Sequence, residues 1–300
     1  MNKNWFSKKH YILYRTAGLG NQFYYFAYCD YLKREGFKNV KLLNVGPKEI
    51  GDTTDTKKRN LILEIPQRLQ IQRIKLLGRI YLILMRVSNW FLYEKLWSKL
   101  IRIHEEPELE WSKFSPIEDK KLAKYNIHIG CFQSHRYISN DFLIRLSRIV
   151  GELTPDPKLK IEMGDVAVHV RRGDFYTFGD GGIYNIITGH YYLDGLKFIQ
   201  SKKSINKIYV FSDDFDTIKE EIGMLSNAGE VILVQNQTVL EDMNTLRQFS
   251  NYILGNSTFA WWGAMLSVNA NPYVVVPKNP WKKGMATASP YFPGWMQIDN

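Results

Sequence analysis

A short apolar run, Asp165-Val166-Ala167-Val168, passes directly into His169-Val170-Arg171-Arg172-Gly173-Asp174. No other segment constrains the fold as tightly. Such a run reads as a buried strand, and Gly173 opens it into a loop. Alternation along the strand puts His169 and Arg171 on one face, with Val168 and Val170 on the other. An imidazole beside a guanidinium at the C-terminal mouth of a strand suits phosphate oxygens, because arginine's planar fork matches them and its charge does not titrate. The plain alternative is a surface Arg pair salt-bridged to Asp174. The hexapeptide alone weighs the two readings equally.

The rest of the chain alternates strand and helix around this element. Tyr11–Tyr14 reads as a first strand; it leads through Ala17-Gly18-Leu19-Gly20-Asn21-Gln22 into a helix from Phe23 to Arg34 that ends at Gly36. Strand, Gly-rich turn and helix together open a βαβ unit. Val40–Val45 is a second strand, residues 67–103 are helical in character, 127–132 is a strand and 141–153 a helix. Thr154-Pro155-Asp156-Pro157 is the best linker signal, which divides the chain into 1–155 and 156–300. Beyond it come strands at 165–171, 207–212, 230–234 and 251–255, with Val274–Pro277 as the last. Helices are expected near 191–200, 215–225 and 241–250. This alternation predicts parallel sheets in an α/β fold, as two units with a cleft between them.

Charge narrows the function classes. The chain carries +10 over 300 residues. From Lys57 to Arg102 there are eleven Lys and Arg against two Glu, so this basic segment holds +9 of it and the remainder is almost neutral. A neutral body with no recognised nucleic-acid module argues against a nucleic-acid partner. The basic segment fits either a solvated face on a buried helix pair or a membrane-surface face. No uncharged run is long enough to span a bilayer, and Met1–His10 has no apolar core of a signal peptide. Cys29 and Cys131 read as two buried free thiols of a reducing compartment, which makes the sequons at Asn236 and Asn256 accidental.

Further constellations sit at strand ends, where open α/β sheets bind ligands. Gly18, Gly20, Asn21 and Gln22 begin a helix whose amides point outward, but the third glycine and the acidic ribose ligand of a dinucleotide fingerprint are missing. That disfavours a nicotinamide oxidoreductase. Phe211-Ser212-Asp213-Asp214 ends a strand, and a carboxylate there can accept from ribose hydroxyls or a guanine N–H edge. Asp214 is equally suited to cap the next helix. Asp214-Phe215-Asp216 also spells the Asp-x-Asp pattern of metal-dependent transferases, but hard cations want several oxygen ligands, and the Arg-bearing strand end already supplies positive charge. Asn256-Ser257-Thr258-Phe259 forms another strand-to-helix turn on which a diphosphate can rest. The following Trp261-Trp262 pair favours core packing over sugar stacking.

In order, these motifs resemble the α-1,2-fucosyltransferases, whose members carry GLGNQ, a Phe-Gln-Ser segment, HxRRGD, FSDD and NSSFSWWGAW. Here they stand as Gly18–Gln22, Phe132-Gln133-Ser134, His169–Asp174, Phe211–Asp214 and Asn256–Ala264. Glu241-Asp242-Met243, Pro277-Lys278 and Pro293-Gly294-Trp295 also fit. Residues 50–120 lie outside the likeness, and Thr258, Ala260, Met265 and Cys131 depart mildly from it. The resemblance implies a GT-B fold of two Rossmann-like domains facing a cleft. It also implies a GDP-fucose donor, no metal and no other cofactor, and inversion at the anomeric carbon. The first domain would then lie on the acceptor side and the second bind GDP-fucose.

On that reading Arg171 stabilises the leaving diphosphate as the fucosyl–phosphate bond breaks. His169, Ser212, Asp213, Asp214, Asn256, Ser257, Thr258 and Phe259 bind donor, with Gly18, Gly20, Asn21 and Gln22. Arg172, facing the other way, holds Asp174. A carboxylate within reach of the acceptor hydroxyl can serve as base. Asp174 and Asp180 are candidates by position, although an ordinary turn role suits Asp180 better and a dissociative transition state can do without a strong base. The expected acceptor is a galactose-terminated glycan such as a lipid-linked O-antigen repeat. The enzyme is expected in the cytoplasm, peripheral to the anionic inner leaflet of a bacterial inner membrane.

Overall fold

The computed structural model describes residues 8–14, 18–44, 64–74, 100–107, 110, 112–118, 122–173, 182–283 and 289–300. The chain divides into two compact units, Met1–Arg145 and Leu146–Asn300. Each is built on a wholly parallel sheet and is Rossmann-like, as the GT-B resemblance implies.

Unit 1 has five strands in the order β3-β2-β1-β5-β4. They are β1 (Lys9–Tyr14), β2 (Asn39–Asn44), β3 (Gln72–Ile74), β4 (Ile101–Glu105) and β5 (Tyr125–Ile129). The aromatic-rich helix α1 (Leu19–Arg34) is buried along almost its whole length. It stops where the sequence says it should. Gly36 takes φ +95°, its amide donates to the Lys33 carbonyl, and the Phe37 amide donates to Leu32, the paired bonds of a Schellman motif. A single-turn helix, α2 (Glu64–Arg68), also belongs to this unit, and a longer one, α3 (Asn140–Glu152), runs across the Arg145–Leu146 division.

One expectation fails here. Within the stretch 67–103 expected to be helical, residues 72–74 form a strand and residues 101–103 begin another, 101–105. Ile101-Arg102-Ile103-His104 alternates with period two, and averaging it into a long basic amphipathic segment hid that signal. The remainder of the basic segment, 75–99 and 57–63, lies outside the described residues.

Unit 2 has six strands in the order β11-β10-β9-β6-β7-β8. These are β6 (Val166–Val170), β7 (Lys207–Ser212), β8 (Glu230–Leu233), β9 (Asn251–Leu254), β10 (Tyr273–Pro277) and β11 (Met296–Ile298). Counted from the unit's first strand this is the 3-2-1-4-5-6 order of dinucleotide-binding sheets, with the reversal between β6 and β9. Helices α4 (Gly189–Gln200), α5 (Lys219–Ser226), α6 (Val239–Leu246) and α7 (Thr258–Met265) connect them. Val166, Val168 and Val170 pack with Tyr191, Leu196 and Ile218 in a dry core.

Two helix starts and one additional strand stand out against the sequence expectation. Helix α6 starts early because Thr238 and Glu241 close a capping box ahead of it. Helix α5 starts late because Asp214 Oδ1 accepts from the amides of Asp216 and Thr217, which holds a turn first. Strand β10 is not the last. β11 pairs with it in parallel after Gly294 turns the chain at φ +94°, and its three residues, Met296-Gln297-Ile298, are too few for their alternation to stand out.

Unit 1 also has a polar interior. His10, His104 and His128 come from the neighbouring strands β1, β4 and β5. His10 Nδ1 lies 3.0 Å from His128 Nε2, and Tyr28 Oη lies 3.0 Å from His128 Nδ1. The His104 ring stacks on His128 at 4.8 Å. Burial, reinforced by the neighbouring imidazoles, lowers His10 to about 3 and pushes His128 well down. Burial lowers His104 as well. Among the described residues no helix is long and apolar enough to cross a membrane.

Candidate active site

The mouth of the unit 2 sheet forms where β6 and β9 separate. β6 is buried on both faces. Its even-numbered residues enter the valine core, so His169 and then Arg171 emerge on the opposite face at the strand end, as alternation requires. The two strands approach closely because Gly255 follows β9. Its amide donates to the His169 carbonyl at 2.9 Å, and a Cβ there would stand 3.1 Å from that oxygen.

Arg171 is held by Asp213 at the end of β7. Its Nη1 lies 3.1 Å from Asp213 Oδ2, with both side chains about three-quarters buried. Asp213 Oδ1 accepts from the Arg172 amide at 2.9 Å. The carboxylate thus grips two successive residues of the strand end. Gly173 is required at the next position, because a Cβ there would fall 2.1 Å from Asp213 Oδ2. Arg172 turns into the interior and is 1% exposed. It donates to Glu221 on α5 and, at 2.7 Å, to the Ile187 carbonyl. Its partner is therefore Glu221. Asp174, the partner the sequence suggested, lies outside the described residues, as does Asp180.

His169 is 4% exposed, and its Nδ1 has no hydrogen-bond partner among the described residues. Burial, then the charge of Arg171, lowers its pKa to about 3, so the ring is neutral and can serve a ligand as a hydrogen-bonding group. The ring centroid of Phe259, in the first turn of α7, stands 5.8 Å away. The N-cap of α7, Ser257, is extended at φ −106° and makes no side-chain capping bond, and no acidic residue occupies the first turn. That helix end presents amides beside the switch point, an arrangement suited to an anion.

Other expected donor residues take part in the framework. Asn256 donates both amide hydrogens, to the carbonyls of Asn185 and Pro280. Ser212 Oγ and the Asp214 backbone close a turn at 3.1 Å. Asp214 Oδ1 meets two amides, and Asp216 pairs with Lys219 at 3.0 Å. Among the described residues no group of three or more His, Cys, Asp or Glu is arranged to hold a metal ion. Trp261 and Trp262 are buried, as core residues are.

Gly18, Gly20, Asn21 and Gln22 belong to unit 1, at the mouth of its own sheet. Gly18 is the N-cap of α1, and Asn21 Oδ1 accepts from Gln133 Nε2 at 3.2 Å. The GLGNQ and Phe-Gln-Ser motifs therefore meet beside the β1–β5 junction, the switch point of that sheet.

A sequence profile described as Glycosyl transferase family 11 matches residues 104–299, well over half of the chain. The chain belongs to glycosyl transferase family 11. Two relatives are each 27% identical. The Alpha-1,2-colitosyltransferase of Escherichia coli matches over 187 residues, 57% of this chain and 62% of that protein. The O-antigen biosynthesis glycosyltransferase WbnK of Escherichia coli matches over 136 residues, 44% of each. The chain thus spans less than two thirds of either relative. Among solved structures, Escherichia coli heptosyltransferase WaaC with ADP has a TM-score of 0.45 at 10% identity, covering 97% of this chain and 93% of that one. POFUT1 in complex with GDP has a TM-score of 0.42 at 9% identity, covering 89% and 97%. Both likenesses are distant, and membership rests on the sequence match.

In this family 11 chain, two residues near the strand mouths were missed by sequence reasoning. Glu221 carried no signal, since a glutamate in the first turn of a helix is ordinary. Glu106 did carry one. It follows directly on β4, and the period-two pattern of 101–104 would have placed it at a strand mouth.

Proposed function

We propose that the chain is an inverting, metal-independent glycosyltransferase that moves L-fucose from GDP-fucose to the 2-hydroxyl of a terminal galactose, making an α-1,2 linkage. The observation that carries this reading is Arg171, clamped by Asp213 at the switch point of a dinucleotide-type sheet beside the neutral His169, unpartnered among the described residues. Breaking the sugar–phosphate bond builds negative charge on the departing diphosphate, and a cation fixed beforehand stabilises it without reorganising. The α7 amides, with Ser257 and Thr258, add to the same anion site, while His169, Ser212, Asp213, Asp214, Asn256 and Phe259 shape the remaining donor pocket. Residues 156–300 are the donor domain on this reading, and residues 1–155, with Gly18, Gly20, Asn21 and Gln22, the acceptor-side domain.

The colitosyltransferase relative supports a second donor, a nucleotide-activated colitose. The O-antigen biosynthesis relative supports an O-antigen-type glycan acceptor. A lipid-linked acceptor gives the basic segment 57–102 a role in peripheral contact with the anionic inner leaflet, on the cytoplasmic side. Reversing Arg73, Lys75 and Arg79 should then abolish binding to anionic vesicles, and unchanged binding would remove that part of the reading.

The deciding experiment is nucleoside-diphosphate release from GDP-fucose, in EDTA, across a panel of β-galactoside acceptors, for wild type and Arg171→Ala. Acceptor-dependent release that survives EDTA and collapses in the variant supports the reading. If GDP-fucose and nucleotide-activated colitose both fail to bind, the reading falls.

A further inference from the structure

Glu221 stands in the first turn of α5, where a glutamate ordinarily faces water and complements the helix dipole. Here it is 8% exposed and meets the Arg172 guanidinium on the valine side of β6. That guanidinium makes more than an ion pair. Nη1 donates to the carbonyl of Arg171 at 3.0 Å, and Nη2 donates to that of Ile187 at 2.7 Å, just ahead of α4. The Tyr192 hydroxyl, on α4, meets the same group and lies 3.5 Å from the His169 carbonyl. One buried cation thus ties the end of β6 to α5 and to the lead-in of α4.

The opposite face of the strand end is held by Asp213, which takes the Arg171 side chain and the Arg172 amide. Arg171 is therefore fixed twice, at its guanidinium by Asp213 and at its carbonyl by Arg172. Both carboxylates come from the one connection between β7 and α5. Asp213 follows β7 directly, and the turn closed by Asp214 Oδ1 sets where α5 begins, hence where Glu221 lands. Two consecutive arginines on opposite faces of β6 so meet two carboxylates of a single neighbouring βα unit.

Stability does not explain this arrangement. Taking two charges out of water offsets much of their attraction, and apolar side chains of similar volume often replace such pairs without loss of fold. Apolar side chains, however, cannot donate to the carbonyls of Arg171 and Ile187. Glu221 orients the guanidinium plane, and the guanidinium holds the backbone from which Arg171 projects. Placement of a preorganised group matters greatly, since a shift of about 1 Å costs roughly 10²-fold in rate. Resting on the transferase reading, we infer that Glu221 is a positioning residue for the diphosphate site. Acting through Arg172, it fixes Arg171 where the leaving charge develops. Buried on the core face, it meets no substrate itself.

The test compares Glu221→Gln, Arg171→Ala and the variant carrying both, in GDP release from GDP-fucose, with fold checked by circular dichroism and thermal melting. Glu221→Gln should lower kcat by roughly ten- to a hundredfold with acceptor KM unchanged. The variant carrying both changes should be no slower than Arg171→Ala alone, because the glutamate acts through that arginine. A second variant, Arg172→Met with Glu221→Leu, removes the buried pair and fills its space; it decides the matter if Glu221→Gln does not fold. It should melt near wild type yet show the same fall in kcat, whereas a merely structural pair would leave kcat at the wild-type value. Wild-type turnover in that apolar variant, its failure to fold, or losses that multiply when Glu221→Gln is added to Arg171→Ala would overturn the positioning role and leave the transferase reading intact. Failure of the wild type to bind GDP-fucose would overturn both.

Discussion

The two sheets of this chain end in opposite chemistry. At the mouth of the unit 2 sheet a guanidinium, Arg171, is clamped by a carboxylate, and a lightly capped helix start lies beside it. At the mouth of the unit 1 sheet the fixed group is a carboxylate, Glu106, clasped by backbone amides. Both sit on the C-terminal edge of a parallel sheet at or next to its switch point, so the scaffold alone does not set the difference. The first arrangement is suited to receiving a leaving anion, and the second to receiving a proton. The interiors differ too. Unit 2 packs Val166, Val168 and Val170 in a dry core, whereas unit 1 runs three histidines across adjacent strands.

The sharpest way to break this comparison is to remove the cation. Arg171→Ala should lower kcat by about 10²–10³ in steady-state assays with acceptor KM little changed; an effect confined to acceptor KM would mean that the mouths are not divided by charge. Next comes the pair behind it. Glu221→Gln leaves the Arg172 guanidinium buried without its partner, and such losses cost about 3–5 kcal/mol, readable by urea denaturation of unit 2. Gly173→Ala forces Asp213 away from the strand end and should slow turnover by roughly ten- to a hundredfold through misplacement of Arg171, with the fold retained in circular dichroism.

Acid should separate the interiors. His10, His104 and His128 have folded pKa values depressed below the unfolded 6.5, so the unfolded chain binds more protons once the pH falls below that value. The contribution of His10 is full above pH 6.5 and is lost progressively toward about 3, by about 1.4 kcal/mol per pH unit, and His104 and His128 act in the same direction. Unit 2 carries the same liability at His169 alone among its clearly shifted histidines, so unit 1 should unfold first in an acid titration followed by hydrogen exchange. Simultaneous loss would remove the distinction. The smallest effect is local: Thr238→Ala should cost about 1 kcal/mol by opening the capping box of α6.

Much of this was legible from residues alone. The strand 166–170, the facing of His169 and Arg171, the end of α1 at Gly36 and the burial of the Trp pair all follow from local pattern, because alternation and helix termination are short-range geometry. Strands β3 and β4 were lost in a segment judged by its charge and overall character. Strand β11, three residues long, is too short for its Met296-Gln297-Ile298 alternation to register as a strand. Cys29 is buried as expected, whereas Cys131 is only half-buried at the β5 mouth.

The sequence by itself determined that the chain alternates strand and helix, and that Arg171 emerges at a strand end beside an imidazole. Those depend on neighbours within a few residues. Only the tertiary structure decided which carboxylate each arginine meets, with Asp213 and Glu221 lying 42 and 49 residues from Arg171 and Arg172. It also decided that Glu106 is clasped 25 and 26 residues away. Such pairings are set by strand order and by which glycines let backbone and carboxylate approach, and neither is written in the local pattern.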